Sequence, residues 1–280
     1  MTVTATLTYN GVTIGAGQDL QVVELEGVWE TPEVRTSDVD RSRAHGQWQG
    51  VDLLGGRAIT ATVQANVAID DPAWTSVQSA LVATGDELPL TLQLTGFAGG
   101  GQVSTDVRVR RVSVPVEVER YPFGAARLVV EWWATDPRFY STSTSSESSG
   151  ISSPTGSGLT FNATFDLGFG GAIASGVINV SNGGNFAAPW VATISGPVTD
   201  PRIEHVDLGR TLEFDGEVQS GETLTVSSAT KTVTLNGASR YSWLEPGSEW
   251  FDLPPGANQL RFAAQSGTGT GTLTFKSAWI

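Results

Sequence analysis

The sequence contains no cysteine, which excludes disulfides, thiolate metal ligands and a cysteine nucleophile together. Lysine is nearly missing as well, since every basic residue other than Lys231 and Lys276 is an arginine. No apolar run approaches the length of a membrane span. The opening residues, MTVTATLTYN, lack both the basic segment and the apolar core of a secretory signal. We therefore expect synthesis in a cytoplasm and no membrane partner.

Positive charge is scarce throughout the chain. The formal net charge is −13, from 16 basic and 29 acidic residues. Residues 1–140 carry 10 basic and 17 acidic groups, and residues 141–280 carry 6 and 12, so neither half is basic. Because an acidic surface repels phosphate, we expect no specific binding of nucleic acid.

The residues that are abundant favour strands and turns. Glycine occurs 33 times, threonine and valine are frequent, and long runs of Leu, Ala, Glu and Lys are missing. This profile is typical of a mainly β protein. At 280 residues the chain exceeds the usual size of one domain, so two domains are expected.

The clearest boundary is STSTSSESSGISSPTGSG, residues 141–158. Nine of its 18 residues are serine, and Ile151 is its only large apolar side chain. Such a stretch buries too little surface to offset its ordering entropy. We therefore predict a linker or exposed loop at 141–158, between domains at 1–140 and 159–280.

The first domain is predicted as strands around one helix. In RVRRVSVPVEVER, residues 108–120, the valines from Val112 to Val118 alternate with polar residues, which is typical of a half-buried strand. The helix is DPAWTSVQSALVAT, with Asp71 as N-cap, Pro72 at the first turn and an apolar stripe of Trp74, Val77 and Leu81. A β-barrel with one packed helix fits this pattern.

The second domain shows only short alternating strands, such as GVINVS, TLEFDG, ETLTVSS, KTVTLNG and TLTFKSAW. The Asn-Gly pair at 236–237 predicts a tight hairpin. Many short strands separated by turns indicate a β-sandwich.

Catalytic signatures are scarce. Three clusters offer the side chains of a metal or acid–base site: Asp38, Asp40 and His45; Glu204, His205 and Asp207; and the pair Glu117 and Glu119. Each fits a solvated loop or an ordinary strand face better than a site. We therefore predict that the protein is not an enzyme and has no catalytic residue, no cofactor and no metal site.

Tryptophan and one turn are the remaining signals. The nine tryptophans fit a core or a subunit interface better than sugar-stacking platforms. In WFDLPPGANQLRF, Pro254 and Pro255 cannot donate hydrogen bonds, Gly256 can take a positive φ, and Asn258 can bond its own backbone. We predict a fixed structural turn at these four residues.

Three segments give the chain a resemblance to the distal tail proteins of long-tailed, non-contractile bacteriophages. WFDLPPGANQLRF followed by a strand ending in Trp279 resembles the family's C-terminal signature. WWATDPRFY (132–140) resembles the exit of its N-terminal domain, and RSRAHGQWQGVDLLGGRAITATV (41–63) resembles an early His-Gly, Gly-Arg and strand segment. Their order and spacing cover nearly the full length.

The resemblance implies a structural virion protein of the tail tip or baseplate. Its N-terminal domain would form a homohexameric ring beneath the tail tube, through which DNA passes without specific binding. Its galectin-like C-terminal sandwich would hold tail-tip and tail-associated proteins. Within this picture, Trp29, Arg41, Arg43 and Trp48 are candidates for the subunit interface. The alternative is a carbohydrate-binding β-sandwich protein that recognises a host surface.

Overall fold

The computed structural model describes residues 4–66, 71–82, 85–114, 125–152 and 176–280. The chain divides into two compact units, which are described separately. Unit 1 comprises Met1–Thr142 together with Trp279–Ile280, and unit 2 comprises Ser143–Ala278.

Unit 1 is built on one antiparallel sheet. Its elements are β1 (Ala5–Tyr9), β2 (Val12–Gly15), β3 (Leu20–Glu26), β4 (Val34–Arg35), β5 (Val39–Asp40), β6 (Gln47–Trp48), β7 (Leu53–Leu54), β8 (Arg57–Asn66), α1 (Pro72–Ala80), β9 (Leu88–Leu94), β10 (Gln102–Ser113), β11 (Ala125–Ala134) and β12 (Phe139–Ser141). The main sheet runs in the order β2-β1-β9-β10-β11-β8-β3, and β12 pairs with β10.

Alternation along β8 builds the core of unit 1. Ile59, Ala61 and Val63 are fully buried, while the residues between them are partly or fully exposed. The predicted helix is present as α1, where Trp74, Val77 and Leu81 join the same buried cluster. The backbone carbonyl of Asp71 accepts from the Trp74 amide at 3.1 Å. The helix ends at Ala80.

A bulge in β10 decides which of its residues face the core. The strand buries Val103, Val107 and Val109, but the pairing with β11 shifts register between Val109 and Arg111. One extra residue there moves the core-facing positions of the strand from odd to even numbers. Val112 therefore pairs with the buried Val130 on the core side, although Val112 itself is 39% exposed, and Val114 packs against the core cluster. The predicted residues Val116 to Glu119 lie outside the described part of the chain.

Unit 2 is a sandwich of two antiparallel sheets. Its strands are β13 (Ser145–Gly150), β14 (Val177–Asn182), β15 (Trp190–Ser195), β16 (Val198–His205), β17 (Arg210–Glu213), β18 (Glu217–Val218), β19 (Thr223–Ser227), β20 (Thr232–Leu235), β21 (Ala238–Ser239), β22 (Gly256–Gly267) and β23 (Thr270–Phe275); the chain ends with β24 (Ala278–Trp279). One sheet runs β13-β23-β15-β19-β20-β21, and the other runs β14-β22-β16-β17 with β18 beside β16. Fully buried side chains from both sheets, including Ile194, Leu224, Ile203 and Phe262, form its interior.

Two local predictions in this region had opposite outcomes. The hairpin at Asn236 and Gly237 is confirmed, since both residues have positive φ and Leu235 pairs with Ala238. The predicted linker is wrong at residues 145–150, which form β13 and pair with β23 over six positions. A mostly exposed edge strand needs no apolar face, because its ladder hydrogen bonds come from the backbone. Residues 153–158 of that segment lie outside the described chain.

The protein is thus mainly β with one α-helix in the described part, as predicted from composition. Barrel closure, the galectin likeness and the domain limits at 140 and 159 stay predictions. No helix among the described residues is long and apolar enough to cross a membrane.

Candidate functional site

A long, mostly exposed excursion joins β3 to β8 in unit 1. We call residues 27–56 the arm. Its two sides run antiparallel and pair twice, first β4 with β7 and further out β5 with β6. The arm is therefore an extended hairpin whose tip lies at residues 41–46.

Polar side chains hold the two sides of the arm together. The Asp38 carboxylate accepts from the amide of Gly50 at 2.7 Å, and the Asp40 carboxylate accepts from the Gln47 side chain at 2.8 Å. Ser37 both accepts from the Val51 amide and donates to the Val51 carbonyl. The acidic residues of the first candidate metal cluster thus serve the internal hydrogen bonding of the arm. No group of metal-binding side chains forms among the described residues.

A buried arginine binds the backbone of residues 27–30, which we call the root of the arm. Arg57 is 2% exposed, and its Nη1 donates to the carbonyls of Gly27, Val28 and Glu30 while Nε donates to the carbonyl of Pro137 at 2.8 Å. Burial lowers the pKa of Arg57, and the charge of Glu30 opposes that shift. The guanidinium therefore collects backbone acceptors that the departing chain would otherwise leave unpaired in the interior.

Glycine is required where the arm leaves the sheet. Gly27 has φ of 80°, and a Cβ there would lie 1.9 Å from the carbonyl oxygen of Ala58. Any other residue would force the arm root away from β8.

The arm presents apolar side chains to solvent. Of the twelve exposed large hydrophobic residues in the described chain, six lie on the arm: Trp29, Val34, Val39, Trp48, Val51 and Leu53. Val39 and Trp48 are direct cross-strand partners, 62% and 64% exposed. This concentration on one hairpin contrasts with the scattered single apolar residues that are the norm on a monomer surface.

The four predicted interface residues all lie on the arm. Trp29 sits at the root, 64% exposed, and meets Phe97 edge-on at 5.2 Å between ring centroids. Arg41 lies over the Trp48 ring, 4.4 Å from its centroid, and Arg43 is exposed at the tip. The structure therefore brings Arg41 and Trp48 into contact and places Trp29 at the other end of the same hairpin.

Sequence reasoning missed the four aliphatic members of this surface: Val34, Val39, Val51 and Leu53. Each is an isolated apolar residue in a mostly polar stretch that shows no strand alternation. Their common signal is isolated apolar residues on both sides of a polar loop at residues 41–46.

The segment WWATDPRFY closes unit 1 with a local polar network. Burial raises the pKa of Asp136, but hydrogen bonds from Arg138 and Tyr140 and the charge of Arg138 outweigh burial, so the net pKa is lowered. Tyr140 donates to the Asp136 carboxylate at 2.6 Å. The adjacent carbonyl of Pro137 is the one that Arg57 binds, so this turn also supports the arm root.

The predicted turn at 254–258 lies in unit 2. Gly256 has φ of 91° and begins β22. The Asn258 side chain, 4% exposed, donates to the carbonyls of Pro254 (2.9 Å) and Gly256 (2.8 Å). Its Oδ1 lies 3.0 Å from Nε2 of buried His205.

His205 has both ring nitrogens engaged. Its Nδ1 accepts from the Leu208 amide at 3.3 Å, so Nε2 carries the proton that is donated to Asn258. The neighbouring Glu204 lies on the opposite strand face and pairs with Arg261. Glu204 and His205 therefore do not come together as an acid–base pair.

Replacing Asn258 by alanine should destabilise unit 2 by about 2–4 kcal/mol, because two carbonyls and the buried His205 donor lose their partner. Asn179→Ala is the matched control, since Asn179 is exposed and bonds only Gln259 in the described contacts. Chemical denaturation of both variants measures the difference. Equal losses would show that Asn258 does not fix the turn.

The fold and the arm define a class, namely a two-unit β protein with a sandwich and an exposed, apolar hairpin. Two comparisons then specify it. Residues 183–279 match the family model of the siphovirus-type tail component, C-terminal domain. The crystal structure of phage SPP1 Dit, described as a paradigm of the hub adsorption apparatus in phages that infect Gram-positive bacteria, aligns with a TM-score of 0.65.

The alignment with SPP1 Dit covers 99% of both chains at 12% identity, so it establishes a common fold over the whole length. A chain of the activated phage P2 baseplate aligns over 98% of both chains, with 8% identity and a TM-score of 0.47. No curated protein sequence matches significantly. The resemblance to distal tail proteins is thus confirmed, by family over residues 183–279 and by fold over the chain.

Proposed function

We propose that the protein is the distal tail protein of a siphovirus-type phage, a structural component of the tail tip without enzymatic activity. Six copies form a closed ring that joins the tail tube to the tail-tip and receptor-binding proteins and leaves a channel for DNA. The observation that carries this proposal is the arm, which exposes half of the large exposed hydrophobics of the described chain.

The arm suits a ring contact for a geometric reason. Identical subunits close into a ring through heterologous contacts, in which one surface of each copy meets a different surface of the next. An extended hairpin anchored at its root reaches beyond its own unit, and its apolar residues gain their burial only on a neighbour. The arm then supplies one side of that contact.

The acidic charge suits the proposed channel. With a net charge of −13 distributed over both halves, the subunit repels the phosphate backbone without any specific contact. DNA would therefore pass the ring without adhering to it.

Native mass measurement with electron microscopy of the same purified sample tests the ring. We expect a species near six times the chain mass of 29.4 kDa, seen as six-fold rings with a central hole. Because some rings close only on a template, the purified tail tube protein of the same phage is added in a second sample. A monomer in both samples would contradict the proposal.

A further inference from the structure

The five-stranded sheet of unit 2 carries an open groove on its outer face. Its volume is about 590 Å³. Strands β16 and β22 form its floor, the chain from Glu213 to Asp215 and Glu245 forms one side, and Ser152 lies on the other. The groove belongs to unit 2 alone and is separate from the arm.

Sheet register explains why a groove exists here. Arg202 pairs with Glu213 on one side and with Ala263 on the other. The next pair along, Ile203 and Phe262, is fully buried in the sandwich, so Arg202 and Ala263 face outward. Ala263 has a small side chain, whereas Arg261 and Gln265 on the same strand face are long, so a depression forms at Ala263.

One side of the groove carries carboxylates that have no partner within the described chain. The Asp215 amide bonds the Trp243 carbonyl, and the Glu245 amide bonds the Glu213 carbonyl, which brings these two segments side by side. The carboxylates of Glu213, Asp215 and Glu245 are exposed, and neither they nor the Arg202 guanidinium form a hydrogen bond or ion pair with another described side chain.

Some charged groups of the groove are paired with each other or with the backbone, and others are not. Arg261 is neutralised by Glu204, and Asp200 accepts from the Gly216 amide. What remains is one free arginine on the floor beside three free carboxylates on one side. A ligand that matches this pattern carries positive charges that face the three carboxylates and an oxygen acceptor that faces the Arg202 guanidinium.

We propose that this groove binds an extended, lysine- or arginine-bearing segment of a partner protein. Its basic side chains pair with Glu213, Asp215 and Glu245, and a backbone carbonyl accepts from Arg202. The chain's own segment after Ser152 does not supply these charges, because residues 153–175 contain no lysine or arginine.

A saccharide fits the groove less well. Sugar rings stack on exposed aromatic faces, and the one aromatic residue of the lining, Phe214, is only 1% exposed. A phosphate-bearing ligand is opposed by the excess of carboxylates. The basic segment is therefore the occupant that the lining favours.

Fluorescence anisotropy of a labelled tetralysine peptide tests the groove in the full-length protein. The variant Glu213→Gln with Glu245→Gln should weaken binding about tenfold, because two ion pairs are lost. Glu147→Gln with Glu217→Gln is the matched control, since it removes the same charge from exposed positions of unit 2 outside the groove lining. The control should change affinity less than about twofold, and thermal melting confirms that both variants fold.

Equal weakening by both pairs would overturn the proposal, since it would show attraction to the acidic surface in general. A neutral tetrasaccharide whose binding is lost in Arg202→Ala, with no binding of tetralysine, would overturn it in favour of a sugar site. The assay measures binding to unit 2 and does not require a hexamer, so its failure is distinguishable from failure of the proposed ring.

Discussion

Replacing Arg57 by alanine should destabilise unit 1 by roughly 3–5 kcal/mol. The guanidinium donates to three carbonyls at the arm root and to the Pro137 carbonyl on the opposite side. Truncation leaves these acceptors without a donor in a region where Arg57 itself is 2% exposed, and it also opens a cavity beside Phe139. Calorimetric unfolding measures the loss.

Arg57→Lys separates charge from geometry. A lysine keeps the positive charge, but its single ammonium cannot reach acceptors on both sides as the planar guanidinium does. Its stability should fall between those of the wild type and Arg57→Ala. Arg127→Ala is the control for net charge, because Arg127 is exposed on β11. A loss for Arg57→Ala that is no greater than this control's would show that Arg57 is not the anchor.

Loosening of the arm should accompany the loss of stability. Amide exchange along the arm reports its opening directly, because the hydrogen bonds between its two sides, such as Gly55 to Glu33 and Arg41 to Gly46, are few and close to solvent. We expect faster exchange over residues 33–55 in Arg57→Ala.

Much of the fold was predictable wherever side-chain pattern alone determines structure. The strand β8 alternates without interruption, the helix α1 begins at an Asp-Pro pair, and the Asn-Gly pair at 236–237 specifies its own turn. In each case the residues that predict the element lie within it or next to it in the sequence. Local chemistry is sufficient there.

Prediction failed where the structure depends on a distant partner. The serine-rich residues 145–150 form a strand because β23 offers a free ladder edge, which no property of the serines reveals. The exposed valines and leucine of the arm were missed for a similar reason, because the contact that we propose for them lies on another molecule.

Trp48→Ala should weaken ring assembly while leaving the fold of the subunit intact. Trp48 is 64% exposed and rests on Arg41 and its cross-strand neighbour Val39, so its removal costs the monomer at most about 1 kcal/mol. Buried at an interface centre, a tryptophan contributes about 2 kcal/mol or more. We expect the dissociation constant between subunits to rise at least about thirtyfold.

Sedimentation velocity over a range of concentrations measures this shift, with Tyr241→Ala as the control. Tyr241 is an aromatic residue of similar exposure, 53%, but it belongs to unit 2 and lies outside the arm. Trp29 is the less informative choice, because its contact with Phe97 links it to the core and its loss would mix folding with assembly. If Trp48→Ala and Tyr241→Ala assemble as well as the wild type, the arm does not carry the ring contact. Loss of assembly in Trp48→Ala alone would assign the contact to the arm.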